Sequence, residues 1–374
     1  MLTNWMNGMK INNFHLENSE IAQLKELQQT VSIYINENNY GIFSPDQKFG
    51  ESYDCSISKS IGDSYLIKLS KFKGITFGGC VINIQPAITG ELSLTFQSER
   101  NSSKTQSDKA YFLIINVDYS KRIPYGNPNQ DESPARLPFV HPKYELEVLS
   151  EEQINLNTHY DNILVIGRFI SSGNDVMWDK SYIPPCVDLN SFALLKEMSD
   201  DISNNINTLQ ISLYNIIYKV INKNQNSPLA FNIKYLCEKI IYTVAALNFP
   251  LRNTLKNKPP IELMQQITNV ANHIKLALDF LPEKEKEDIS SYFTEWNGIS
   301  PSKFDELLVA VIDLNYNHLM INDSFELIAE FTEIISELFK KMSELDLIGK
   351  RKADKNMVVR EIGPKQTKKF RLID

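Results

Sequence analysis

The sequence has little cysteine, and none of it is arranged as a paired motif. Its four cysteines, Cys55, Cys80, Cys186 and Cys237, lie far apart along 374 residues and form no C-x-x-C pair. This spacing predicts neither a zinc site nor a redox dithiol. We therefore expect buried, reduced thiols, as in a cytoplasmic protein, and no bound metal.

Local catalytic motifs are missing as well. The sequence has no glycine-rich phosphate loop, no G-x-S-x-G nucleophile elbow and no H-E-x-x-H zinc helix. Its five histidines stand apart from one another and from the cysteines, so their spacing suggests no acid–base pair. The sequence favours a protein that is not an enzyme and that uses no cofactor and no small-molecule substrate.

Long apolar runs and one-sided basic charge are also lacking. No stretch approaches the roughly 20 apolar residues that cross a bilayer, and residues 1–10 do not resemble a secretory signal. The net charge of -7 argues against nonspecific attraction to nucleic acid. We expect a cytoplasmic protein that does not bind nucleic acid.

What the chain does have is two kinds of hydrophobic periodicity, which divide it near residue 190. Short alternating runs separated by Gly, Pro, Asn and Ser predict an N-terminal antiparallel β-sandwich over residues 1–190. The predicted strands cover residues 31–35, 65–69, 81–84, 91–96, 111–117, 144–149 and 163–170. One or two helical turns are expected around residues 21–29, where apolar residues recur three apart.

Helical periodicity begins after residue 190 and continues to about residue 346. It predicts a helical bundle over residues 191–346, joined by short loops. The predicted helices cover residues 202–220, 229–247, 261–281, 284–296, 304–319 and 324–345. The expected fold class is therefore α+β with several domains.

The first predicted helix spaces its apolar residues alternately by four and three positions. Ile206, Leu209, Leu213 and Ile216 follow the seam of a coiled coil, which predicts an oligomer interface between copies of the chain. An ordinary amphipathic helix inside a monomeric bundle explains this short run equally well. The spacing leaves both interpretations open.

Two end segments differ from the predicted domains. Trp5, Met9 and Phe14 lie in an N-terminal segment too short to bury them, which predicts docking on the chain itself or on a partner. At the other end, residues 347–374 form a basic tail. Residues 350–374 contain nine basic and three acidic residues, a charge of +6, which leaves -13 on the remainder. Such a tail suits an acidic partner, nucleic acid or anionic lipid, or stays solvated.

Four strings, in this order, resemble the TssK family of type VI secretion baseplate proteins. They are Trp5 with Gly8-Met9 and Phe14-His15, then Arg136-Leu-Pro-Phe139, then Tyr182-Ile-Pro-Pro185, and finally Ala245-Ala-Leu-Asn248 with Pro259-Pro260. The resemblance covers residues 1 to about 345. It implies a non-enzymatic trimeric adaptor with a sandwich shoulder related to phage receptor-binding shell domains, a helical neck and a C-terminal head.

The resemblance also implies partners. The shoulder would bind TssF-like and TssG-like wedge proteins, with Trp5, Met9 and Phe14 as partner-binding residues. The head would contact the membrane complex. Only the basic tail of residues 347–374 follows the neck, so we expect a divergent member without the head, in which the tail takes over part of the anchoring. The alternatives are a baseplate or receptor-binding-like subunit of a related phage tail or contractile injection system, or a lone ligand-binding β-sandwich.

Overall fold

Strands precede the long helices in the computed structural model, which describes residues 3–47, 50–59, 64–97, 109–154, 160–172 and 175–351. Helix α1 spans Asn13–Ser32. The strands are β1 (Gly41–Ile42), β2 (Tyr53–Lys59), β3 (Ser64–Ile75), β4 (Val81–Ile84), β5 (Leu92–Gln97), β6 (Lys109–Tyr125), β7 (Phe139–Ser150), β8 (Ile163–Ser172) and β9 (Asp175–Trp178). The later helices are α2 (Ala193–Asn222), α3 (Pro228–Ala246), α4 (Asn248–Asn253), α5 (Pro260–Asp279), α6 (Glu283–Asn297), α7 (Pro301–Ile312) and α8 (Ile321–Glu344).

The strands form two antiparallel sheets. In the first sheet, β3 pairs with β1, β2, β4 and β5, and in the second the order is β7-β6-β8-β9. Side chains of the two sheets meet, since the ring centroid of Phe169 on β8 lies 5.6 Å from that of Tyr65 on β3 and 5.3 Å from that of Phe96 on β5. This face-to-face packing confirms the predicted antiparallel sandwich.

Alternation of apolar residues explains these strands. Along β3, Ile67 and Leu69 are fully buried while their neighbours are partly exposed, because successive side chains point to opposite faces. Six of the seven predicted strands are confirmed in β3 to β8. The sequence analysis missed β2, whose residues are mostly polar, and the short β1 and β9.

Residues 31–35 were wrongly predicted to be a strand. They contain the end of α1 and the turn that follows it. The helix also begins earlier than its apolar spacing suggests, because a capping box fixes its start. The side chain of Asn12 accepts a hydrogen bond from the His15 backbone N–H at 3.3 Å, and Nδ1 of His15 accepts one from the Asn12 N–H at 3.3 Å.

The prediction of one helix over residues 304–319 is also wrong in its second half. Helix α7 ends at Ile312. His318, which follows it, is buried and makes two hydrogen bonds, with Nε2 2.7 Å from the Tyr40 carbonyl oxygen and Nδ1 2.6 Å from the Tyr316 hydroxyl. These hydrogen bonds outweigh local helix propensity, which is a weak preference.

The chain divides into two compact units, each made of three stretches. The first contains residues 1–204, 247–268 and 313–330, and includes the sandwich. The second contains residues 205–246, 269–312 and 331–374. Its core includes the rings of Phe293, Phe304 and Phe339, with centroids 5.5 and 6.0 Å from Phe293. Domain boundaries at residues 190 and 346 stay a prediction.

A buried ion pair stabilises the first unit. Arg168 Nε donates to Asp179 Oδ2 at 2.7 Å, and its guanidinium lies 5.3 Å from the ring centroid of Tyr182. The Ser181 hydroxyl and backbone N–H donate to the other carboxylate oxygen. Burial raises the pKa of Asp179, but the hydrogen bonds from Ser181 and Arg168 and the Arg168 charge outweigh burial, so the pKa lies below its ordinary value.

Replacing Asp179 by alanine leaves the Arg168 charge buried without its carboxylate. We expect the free energy of unfolding to fall by about 3 kcal/mol, measured by urea denaturation. The folded pKa of Asp179 is lowered, so its contribution is present above the unfolded pKa of about 3.9 and is lost as pH falls through the folded pKa. Wild type and variant should therefore converge in acid.

The matched control is Glu91→Ala, which removes an exposed carboxylate 3.3 Å from Lys68. That change should cost at most about 1 kcal/mol. Equal losses for Asp179→Ala and Glu91→Ala would contradict a stabilising role for the buried pair.

Candidate docking surfaces

The residues before α1 form an arm that folds against His15. The Thr3 hydroxyl donates to the His15 carbonyl oxygen at 3.4 Å. The arm turns at Gly8, whose φ of 82° lies in the left-handed region that glycine adopts readily. The rings of Trp5 and Phe14 lie beside the imidazole, with centroids 6.4 and 6.0 Å away. The arm is therefore ordered around one side chain.

The three predicted partner-binding residues all lie in this arm or in the first turn of α1. Trp5 is 50% exposed and Phe14 is 66% exposed, while Met9 is half-buried. The first unit thus does not bury the two aromatic rings in its own core. Their role in binding a partner stays a prediction.

Helix α1 carries further exposed apolar side chains. Within the helix only Ala22 is buried. Polar contacts attach the helix to the sandwich, because the Gln28 amide donates to Cys80 Sγ at 3.2 Å and Glu20 pairs with Arg122 at 2.8 Å. The exposed apolar residues, which we call the arm–helix surface, are Trp5, Met6, Ile11, Phe14, Leu16, Leu24 and Leu27. Within this set, the rings of Trp5 and Phe14 lie together, because both contact His15.

The predicted oligomer-interface residues are buried within a single copy of the chain. Ile206, Leu209, Leu213 and Ile216 of α2 are all 0% exposed in a single copy. Packing within the chain's own bundle, the alternative that the spacing left open, is sufficient to explain this burial. An interface between copies through these four residues stays a prediction without support from their exposure.

The opposite face of α2 carries a second apolar stripe, which the sequence analysis missed. Ile211, Tyr214, Tyr218 and Ile221 are each more than half exposed. At about 100° per residue they lie opposite the buried seam, and the rings of Tyr214 and Tyr218 stack with centroids 6.1 Å apart. We call these four residues the α2 stripe. Their separations of three, four and three residues follow a helical periodicity, from which the sequence analysis could have found them.

Strands β6 and β7 continue beyond the end of the neighbouring β8 as a two-stranded extension. β6 pairs with β8 as far as Asn116 but with β7 as far as Tyr125. The ring of Tyr125 lies 5.6 Å from that of Phe139, which is exposed together with the neighbouring Val140. This extension contains the end of the Arg136-Leu-Pro-Phe139 string. The string therefore lies at a surface, beside an open end of the sheet.

Three of the cysteines are held as thiols. In the described ranges, no group of three His, Cys, Asp or Glu side chains is placed to hold a metal ion. Burial raises the pKa of the Cys55 thiol to about 11 and also raises those of Cys80 and Cys186. These thiols are therefore uncharged at neutral pH and poor nucleophiles.

No helix within the described residues has both the length and the apolar composition needed to cross a membrane.

The architecture places the chain in the class of α+β proteins that join an antiparallel sandwich to long helices. No family model and no curated protein matches the sequence. Among solved structures, a chain of the baseplate complex from the type VI secretion system is similar, with a TM-score of 0.52 and 12% identity over 91% of this chain and 99% of that one. This likeness shows the fold.

Two further solved structures are similar at lower scores. One is a crystal structure of TssK, with a TM-score of 0.48 and 12% identity over 88% of this chain and 67% of that one. The other is a chain of the TssK-TssF-TssG baseplate subcomplex, with a TM-score of 0.46 and 10% identity over 90% and 99%. The fold is thus similar to that of a chain of the type VI baseplate complex, the kind of assembly to which the sequence resemblance pointed.

The two faces of α2 should respond differently to truncation. Leu213→Ala removes a fully buried side chain and should lower the free energy of unfolding by about 2–5 kcal/mol. Tyr214→Ala, at the adjacent exposed position, should change it by less than about 1 kcal/mol at concentrations where the chain is monomeric. Urea denaturation measures both. Equal losses would contradict the assignment of the two faces.

Proposed function

We propose that this protein is a structural baseplate subunit of a type VI secretion system. The observation that supports this most is the fold, which is similar over nine-tenths of the chain to a chain of the type VI baseplate complex. The arm–helix surface and the α2 stripe suit a scaffold, because exposed apolar patches serve protein contacts. The proposed role is cytoplasmic, without catalysis, cofactor or small-molecule substrate.

We propose that the arm–helix surface binds wedge proteins similar to TssF and TssG. Trp5 and Phe14 are large, exposed aromatic rings, the residue type that most often dominates binding energy. The contacts with His15 hold both rings before a partner arrives. Such preorganisation lowers the entropy cost of association. The solved TssK-TssF-TssG subcomplex names the partners to test.

Replacing Trp5 or Phe14 by alanine should weaken binding of the TssF-like and TssG-like proteins by at least about tenfold. Calorimetric titration of each variant with the purified complex of the TssF-like and TssG-like proteins measures the affinity. Both side chains are exposed, so the free energy of unfolding should stay close to that of wild type.

The control is Tyr242→Ala, which removes a ring on α3 that is 79% exposed and lies outside the arm–helix surface. Wedge binding by this variant should match wild type. A Trp5 variant that binds as well as the control would remove the arm from the proposed interface.

We further propose that the α2 stripe joins three copies of the chain. Its separations of three and four residues are those of side chains that interlock between parallel helices. Tyrosine is enriched at protein interfaces, since its ring packs while its hydroxyl stays hydrated. The neighbouring copies would then cover the rings of Tyr214 and Tyr218, which are exposed in one copy. The number of copies comes from the resemblance alone.

The double variant Tyr214→Glu with Tyr218→Glu should convert the trimer to monomers, because like charges would face each other across the interface. Light scattering measures the mass, and circular dichroism checks that each variant is folded. Tyr242→Glu, with the same change at an exposed position outside the stripe, should stay trimeric. A double variant with the mass of wild type would refute the α2 stripe as the interface.

The basic tail, residues 347–374, also has a proposed role. Residues 347–351 are described, and residues 352–374 lie outside the described residues. We propose that the tail helps to attach the baseplate subunit to components of the membrane complex. The support is its charge of +6 over residues 350–374, which suits an acidic partner surface.

A further inference from the structure

Two Asn-Gly pairs occur in the described part of the chain, and their surroundings differ. They are Asn7-Gly8 in the arm and Asn297-Gly298 at the end of α6. In such a pair the glycine nitrogen can attack the side-chain amide of the asparagine, because glycine has no side chain to obstruct the approach. The attack needs both groups free of other contacts, so the hydrogen bonds at the two sites decide which pair reacts.

Asn7 and Gly8 form an exposed turn of the arm. The Met9 N–H donates to the Met6 carbonyl oxygen at 3.1 Å, which closes a turn with Asn7 and Gly8 at its centre. Both central residues are exposed. Neither the Asn7 amide nor the Gly8 N–H forms a hydrogen bond with another residue in the described ranges. The attacking nitrogen and the amide that it would attack are therefore both open to water.

Asn297 and Gly298 are held in place at the end of α6. Gly298 caps the helix with a φ of 75°, and its N–H donates to the Thr294 carbonyl oxygen at 2.8 Å. The Asn297 side-chain oxygen accepts a hydrogen bond from Lys341 Nζ of α8 at 3.1 Å. Attack by the Gly298 nitrogen would first break the capping hydrogen bond, so it requires local opening of the helix end. This pair is therefore protected, although its two residues are the same.

We propose that Asn7 is a site of spontaneous deamidation and that Asn297 is protected from the same reaction. The Gly8 nitrogen loses its proton and bonds to the side-chain carbonyl carbon of Asn7. The C–N bond of the side-chain amide then breaks, which releases ammonia and leaves a cyclic succinimide. One water molecule opens the ring at either carbonyl, which gives aspartate or isoaspartate at position 7.

The conversion changes both the charge and the backbone of the arm. Lys10 is the only charged residue among residues 3–12, so a carboxylate at position 7 would cancel the positive charge of this segment. Isoaspartate also adds a carbon atom to the backbone of the turn. Both changes lie two residues from Trp5 of the arm–helix surface. The reaction does not depend on the proposed baseplate function, because it follows from local hydrogen bonding.

Incubation of the full-length protein at neutral and at mildly alkaline pH tests this proposal. Trypsin separates the two sites into peptides of residues 1–10 and 287–303, and chromatography with mass spectrometry measures aspartate and isoaspartate in each. In the folded protein, Asn7 should convert at least about tenfold faster than Asn297, which reacts only after local opening. The rate at Asn7 should rise with pH, because the attacking nitrogen must lose its proton. A digest at the start of incubation corrects for deamidation during preparation.

The unfolded protein provides the matched control. In urea the two asparagines should react at similar rates, because the hydrogen bonds that protect Asn297 are then lost. Asn7→Gln should leave the first peptide unmodified, since the longer side chain would have to close a larger and less favourable ring.

Three results would overturn the proposal. In the folded protein, Asn7 could stay intact while the unfolded chain converts, or Asn297 could react as fast as Asn7. The third is aspartate as the only product at position 7, because direct hydrolysis of the amide yields no isoaspartate.

Discussion

The first unit depends on the packing of its two sheets around Phe169. This ring contacts Tyr65 of the opposite sheet and Trp178 of its own. Gly167 makes the arrangement possible, because a Cβ atom at this position would overlap the Trp178 ring. The Tyr65 hydroxyl also donates to the Val176 carbonyl oxygen across the sheets. Apolar burial of this kind, together with the adjacent ion pair, stabilises the sandwich to which the arm, α1 and the β6–β7 extension are joined.

The core of the sandwich is formed by other residues, so the arm and α1 can keep large apolar side chains in solvent. The rings of Trp5 and Phe14 do not enter the sandwich core, and only Ala22 is buried within α1. In the second unit, α2 completes the core with one face and exposes the α2 stripe on the other. Such exposure does not stabilise a single copy. It is the physical basis of the proposal that these surfaces bind other molecules.

Sequence periodicity predicted the fold well where one face of an element meets the core. Strands β3 to β8 and most helices were found in this way, and the fold is similar to that of a chain of the type VI baseplate complex. The errors fall where local pattern and tertiary contact disagree. A capping box at Asn12 starts α1 before the predicted helical turns, and the helix continues to Ser32, where the local pattern predicted a strand. The hydrogen bonds of His318 ended another predicted helix early.

For the candidate sites, the sequence by itself determined which segments carry unusual apolar residues, including the arm and the first long helix. Only the tertiary structure decided which of those residues are free to bind. Leu213 and Tyr214 are neighbours in an apolar run, yet the bundle covers the first and leaves the second in solvent. Periodicity places residues on a face of a helix, but it does not say which face the rest of the chain will cover, because that depends on contacts between residues distant in sequence.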